Sequence, residues 1–187
     1  MATLNSTSTA PCMLPFVMPR NDNAAFFYVQ GDPLAGIWIP LDDVEYDHDI
    51  DAALCAAGFD SEGGDILCAD VEGPLATCCY NSRLDSFDLA AFIALRDDVE
   101  HRDLDSEAVA AFIGWYGSWD RQAFESAYMG RHDSEEAFAE QYIDDAGLLS
   151  EVPEHLQAYF DVAAFARDVF MGDYYFDSDG FVFCSNC

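Results

Sequence analysis

Lysine is missing from this sequence, and basic residues of any kind are scarce. Seven arginines stand against 36 aspartates and glutamates, giving a formal net charge of −29 over 187 residues. Charged residues make up 23% of the chain, close to the roughly 25% of an average soluble domain, so the anomaly lies in the sign. Direct binding to nucleic acid is excluded, because seven arginines without a basic cluster cannot offset that repulsion from phosphate. Long apolar runs are absent too: nothing approaches the roughly 18 residues of a membrane span. The opening MATLNSTSTAPCMLPFVMPR has no basic start, and Pro11, Pro15 and Pro19 interrupt its apolar part, so it does not read as a secretory signal. A cytoplasmic location in a bacterial host cell is the expectation, with no membrane partner.

Paired motifs are equally lacking. The cysteines at 12, 55, 68, 78, 79, 184 and 187 are odd in number and follow no framework spacing, so reduced thiols are expected. Cys184-x-x-Cys187 is half of a zinc knuckle, with no second half at a usual spacing, and His48, His101, His132 and His155 are scattered. Asp47-x-Asp49-x-Asp51 begins like an EF-hand loop, but Ala52 replaces the required glycine and Gly58 the terminal glutamate. There is no G-x-S-x-G and no phosphate-binding glycine loop. The reading is a non-enzymatic protein without metal or cofactor.

What the chain does contain is core-forming material. It is 51% hydrophobic and 14% aromatic, with 15 Phe, 9 Tyr and 3 Trp, which separates it from acidic disordered chains. Phe26–Gln30 and Gly36–Leu41 read as a hairpin around Gly31-Asp32-Pro33, with a third strand at Gly64–Val71 and an alanine-rich helix over Asp47–Phe59. Phe87, Ala91, Leu95 and Val99 recur at i+4, predicting a helix capped by Asp85 or Ser86. Val109, Phe112, Ile113 and Tyr116 predict a second helix ended by Gly117, and Asp120 starts a third through Tyr128. Ser134 suits the N-cap of EEAFAEQYIDDAGLL, Pro153 the first turn of a further helix, and Asp161 the cap of VAAFARDVF. YYFDSDGFVF predicts two closing strands. The fold class is α+β: a flexible tail over 1–24, an α+β unit over 25–83, a helical middle unit over 84–131 and an α+β unit over 132–187. Trp115, Trp119, Tyr159 and Phe160 are expected in the core or a dimer contact rather than in a ligand cage.

The acids are spread through all three units and set where stability would not put them. Glu136, Glu140 and Asp144 recur at i, i+4, i+8, about 6 Å apart along one helix face. Each like-charged pair of that kind costs roughly 0.2–0.5 kcal/mol, and Asp145 adds charge at the unfavourable helix end. Asp42, Asp43, Glu45, Asp47, Asp49 and Asp51 repeat the habit, as do Asp97, Asp98 and Glu100, and Asp173, Asp177 and Asp179. A solvated surface explains one such stripe; its repetition points to a phosphate-like surface. At one negative charge per about 1.7 Å of duplex axis, 29 charges correspond to roughly 50 Å of DNA.

Three stretches carry a family resemblance. Leu148–Leu156 with Tyr159-Phe160-Asp161 and Phe165-Ala166-Arg167-Asp168, the opening Phe27–Leu41, and Phe124–Asp144 with its Tyr128-Met129-Gly130 resemble the ArdA antirestriction proteins, in the right order over about 25–184. Residues 73–83 have no counterpart we can place. The resemblance implies an elongated, curved acidic rod of three small α+β units that forms a homodimer through the C-terminal one. It implies binding to the methyltransferase core of type I restriction-modification enzymes in place of DNA, blocking restriction and often modification. The antirestriction motif and dimer contact would then involve Leu148, Leu149, Glu151, Val152, Pro153, Glu154, Leu156, Tyr159 and Phe160. A different DNA-binding target, such as a CRISPR effector or a nucleoid protein, suits the acidity equally, and only the resemblance favours the type I enzyme. Adaptation to high salt also yields acidity without lysine, and does not exclude mimicry.

Overall fold

The computed structural model describes residues 23–31, 36–59 and 64–186. Residues 1–22, most of the expected tail, fall outside that range, as do Asp32 and Pro33 of the expected turn. The first strand, β1 (Ala24–Val29), pairs antiparallel with β2 (Gly36–Pro40), setting Ala25 against Ile39 and Phe27 against Ile37. β3 (Ile66–Glu72) takes the other edge of β1, so the order is β2-β1-β3. Ala24 lies in a strand and is fully buried, so the last residue of the stretch assigned to the tail belongs to the sheet. Helix α1 (Asp47–Ala56) buries Ile50 and Leu54 and is stopped near Gly58, as expected.

The unassigned stretch after β3 is structured. It forms a five-residue helix, α2 (Pro74–Cys78), and a two-residue strand, β4 (Tyr80–Asn81), paired with β5 (Ser86–Phe87). The cap of α2 comes from far away: the Asn23 side-chain oxygen accepts from the amides of Leu75 and Ala76 at 3.1 and 3.0 Å.

α3 (Leu89–His101) starts later than expected. Phe87 is in β5, and Asp88, not Asp85 or Ser86, caps the helix by accepting from the Ala91 amide. The face that packs inward is Leu89, Phe92, Leu95, Arg96 and Val99, while Ala91 is exposed. α4 (Ser106–Tyr116) buries Val109 and Phe112 and ends at Gly117 with φ +96°; Tyr116, the last residue of the expected stripe, is exposed. α5 (Arg121–Ala127) is capped by Asp120 as expected, but Tyr128 opens a strand, β6 (Tyr128–Arg131).

α6 (Glu135–Asp145) has Ser134 as its N-cap. α7 (Glu154–Gln157) follows with Pro153 just outside its first turn. α8 (Val162–Phe170) is capped by Asp161. The closing hairpin is β7 (Tyr174–Phe176) and β8 (Phe181–Cys184), and β8 lies centrally in a sheet of order β6-β8-β7.

One hydrophobic cluster runs from Ala25 through the middle helices to Phe183. At its centre Phe112 meets Phe124 edge-on at 5.4 Å and Phe183 at 5.7 Å. Trp115 stacks on Phe183 at 5.6 Å, and Trp119 packs against Phe112 and Phe124. The two tryptophans are therefore core-packing residues. The arrangement is α+β, with small antiparallel sheets at both ends of the chain and helices between.

Candidate functional site

The first acidic group lies on the loop between β2 and α1 and on the start of α1. Asp42, Asp43, Glu45 and Asp47 are exposed, whereas Leu41 and Val44 between them are buried and anchor the loop. Asp49 and Asp51 are half-buried. Asp49 is engaged with its own backbone: Oδ2 accepts from the amides of Glu45 at 3.0 Å and Tyr46 at 2.9 Å. Those bonds to the charged form hold its carboxyl below the usual carboxylate range. Tyr46 protrudes from the same loop and stacks on His48 at 5.2 Å.

The second group, on α3, divides. Glu100 is exposed. Asp97 receives Nε and Nη2 of Arg96 at 3.2 and 3.0 Å. Asp98 accepts from Trp119 Nε1 at 3.1 Å and pairs with Arg102 at 3.6 Å and Arg121 at 3.5 Å. Both arginines also reach Glu125, at 3.6 and 3.9 Å. Arg131 pairs with Glu107, donates to the Asp179 carbonyl and lies over the Phe181 ring. Four of the six arginines among the described residues are thus bonded within the chain, and much of their work is to tie α3, α4, α5 and the closing hairpin together.

The third group is on α6, where Glu136, Glu140, Asp144 and Asp145 are all exposed. No basic residue occupies the last turn, and Asp145 accepts only a side-chain amide, from Gln141 at 3.3 Å. Asp173, Asp177 and Asp179 border β7 and its turn, where Asp177 accepts from the Asp179 amide.

The motif segment after α6 is largely on the outside. Leu148, Leu156 and Phe160 are exposed, and Tyr159 is 83% exposed. Glu151, Pro153 and Glu154 are also exposed; Leu149 and Val152 are half-buried. Gln157 fixes this segment by donating to the carbonyls of Leu149 at 3.1 Å and Val152 at 3.0 Å. α8 beside it is strongly amphipathic, yet it buries only Ala166. Met171 follows at 84% exposure.

Sequence reading missed three side chains that shape these surfaces: Asn23, Arg96 and Gln157. Each acts on backbone groups of another segment, and no local pattern marks such a residue. The thiols take no part. Burial pushes Cys68 and Cys79 up to about 12 and Cys78 up to about 11. Cys184 is disulfide-bonded, which corrects the expectation that every thiol is reduced.

Fold and surface together define an α+β protein whose surface is dominated by carboxylates, with one arginine, Arg96, buried and Arg102, Arg121 and Arg131 paired with carboxylates at the surface. The family model for the antirestriction protein ArdA matches residues 27–183, and the chain belongs to that family. No curated protein matches it in sequence. Among the described residues, no helix is long and apolar enough to cross a membrane.

Proposed function

We propose that this antirestriction protein is a DNA mimic: a non-enzymatic inhibitor that occupies the DNA-binding groove of a type I restriction-modification enzyme and blocks restriction, and modification with it. The observation that carries this reading is the asymmetry of charge. Carboxylates of the β2–α1 loop, of Glu100 and of α6 are exposed, whereas Arg96 is buried and Arg102, Arg121 and Arg131 have their charge offset by paired carboxylates of the same chain. A groove built to bind phosphates with arginine and lysine meets a surface of fixed carboxylates. Long-range attraction then speeds the encounter.

The mimic acts as an elongated, curved homodimer, with the two acidic arms joined at the segment from Leu148 to Met171. Support comes from the apolar side chains displayed there, Leu148, Leu156, Tyr159, Phe160 and Met171, since an exposed apolar patch marks an interaction surface. A dimer would set roughly 100 Å of duplex-equivalent charge in one molecule.

The test is displacement. The purified protein is titrated against a type I methyltransferase core bound to labelled duplex, at low and high salt. Mimicry predicts stoichiometric release of DNA that weakens with salt, with no complex between inhibitor and DNA. If the core keeps its DNA at saturating inhibitor, this target is wrong and other DNA-binding enzymes must be tried.

A further inference from the structure

The most deeply placed cation of the described chain sits behind a group of exposed acids. Arg96 lies on α3, is 7% exposed, and rests over the Phe92 ring at 5.9 Å. Its Nη1 donates to three carbonyls of the β2–α1 loop: Leu41 at 3.0 Å, Asp42 at 2.9 Å and Val44 at 2.9 Å. The remaining edge, Nε and Nη2, converges on Oδ1 of Asp97. Three carbonyls converging on one buried group fix the loop backbone closely. With those oxygens turned inward, and Leu41 and Val44 buried, the side chains of Asp42, Asp43 and Glu45 are left facing solvent. At its far end the loop is held by Asp49, through the amides of Glu45 and Tyr46.

We infer that Arg96 is a positioning residue for inhibition: a positive charge that sets the spacing of the negative ones. The inference rests on the mimic reading above. A carboxylate array substitutes for phosphates only if it is held near the geometry the groove expects, so a flexible loop of equal charge binds less well. Charge count and charge placement then make opposite predictions at this residue. Replacing Arg96 by Gln takes the net charge from −29 to −30. If charge alone governs binding, the variant inhibits as well as the parent or better. If placement governs it, the variant is the weaker inhibitor despite being the more acidic protein. Lysine preserves charge but not the planar fork that reaches carbonyls and carboxylate together.

The experiment compares the full-length protein with R96Q, R96K and the control E72Q, at an exposed acid outside the acidic groups, which takes the net charge to −28. Two quantities are read on folded samples: hydrogen exchange at the amides of residues 42–46, and DNA displacement from the methyltransferase core. The expected result is faster exchange at those amides in R96Q, with displacement weakened by about tenfold or more. R96K should be intermediate in both, and E72Q should stay within about fivefold of the parent. Two results overturn the inference: exchange that stays at the parent rate, and displacement that does not change although exchange has risen. If R96Q fails to fold, R96K decides by the same two readings, at unchanged net charge. If the parent protein displaces no DNA, the mimic reading fails, and exchange at residues 42–46 still reports whether Arg96 holds the loop.

Discussion

Asp49 shows how an acid in this protein can serve structure. Its carboxylate accepts two amides at the start of α1, and its pKa is held below the ordinary value. A group with a depressed folded pKa adds stability above its unfolded pKa, about 3.9 for Asp, and loses it as pH falls through the lower folded value. Acid titration followed by NMR should therefore show the amides of Glu45 and Tyr46 shifting with the Asp49 carboxyl, below the midpoint of exposed aspartates. Asp49→Asn should remove that acid transition and loosen the loop at neutral pH. The thiols allow a second check at this scale. With Cys68, Cys78 and Cys79 raised to about 11–12, alkylation at pH 8 should label exposed Cys55 and leave those three unmodified until the protein is unfolded, as read by mass spectrometry.

Among the elements, α6 sets stability against use. Glu140 lies between Glu136 and Asp144 on one face, so Glu140→Lys turns two repulsive pairs into attractive ones, a gain of roughly 0.8–2 kcal/mol. Denaturant unfolding should show E140K more stable, and the displacement assay should show it the weaker inhibitor. At the motif segment, Tyr159→Asp changes a ring that is 83% exposed, so the monomer fold should survive while the proposed dimer dissociates and inhibition falls. Sedimentation showing an intact dimer would place the interface elsewhere. Which elements could be read from sequence follows from where their determinants lie. Ser134, Asp120 and Asp161 sit next to the helices they cap, and were legible. The cap of α2 is 52 residues upstream in Asn23, so that helix left no local signal. β6 is four residues long and gains its partner from β8, about 50 residues later. The exposed acids could be located from spacing alone, but not the arginines that divide Asp97 and Asp98 from Glu100.

For the whole molecule, salt should act in two directions. Screening relieves the self-repulsion of 29 net charges, so the thermal midpoint should rise between low and moderate ionic strength. The same screening weakens attraction to a basic groove, so inhibition should fall over that range. Calorimetry and displacement in matched buffers check both; a parallel rise would contradict a charge-driven complex. The sheet β6-β8-β7 joins residues on both sides of the unit boundary that the helical pattern suggested near 131, a link that pattern reading along the chain does not reveal.

The arginine bridges have a consequence for mutational drift. A surface that binds through many dispersed carboxylates can lose one and gain another a few residues away at little cost. The cations are more constrained, buried Arg96 most of all. Arg102 and Arg121 share Asp98 and Glu125, Arg131 spans Glu107 and the Asp179 carbonyl, and Arg96 holds three carbonyls at once. In a saturation scan for inhibitory activity, the exposed acids should tolerate single replacement by neutral residues better than buried Arg96, which should be the least tolerant of the arginines.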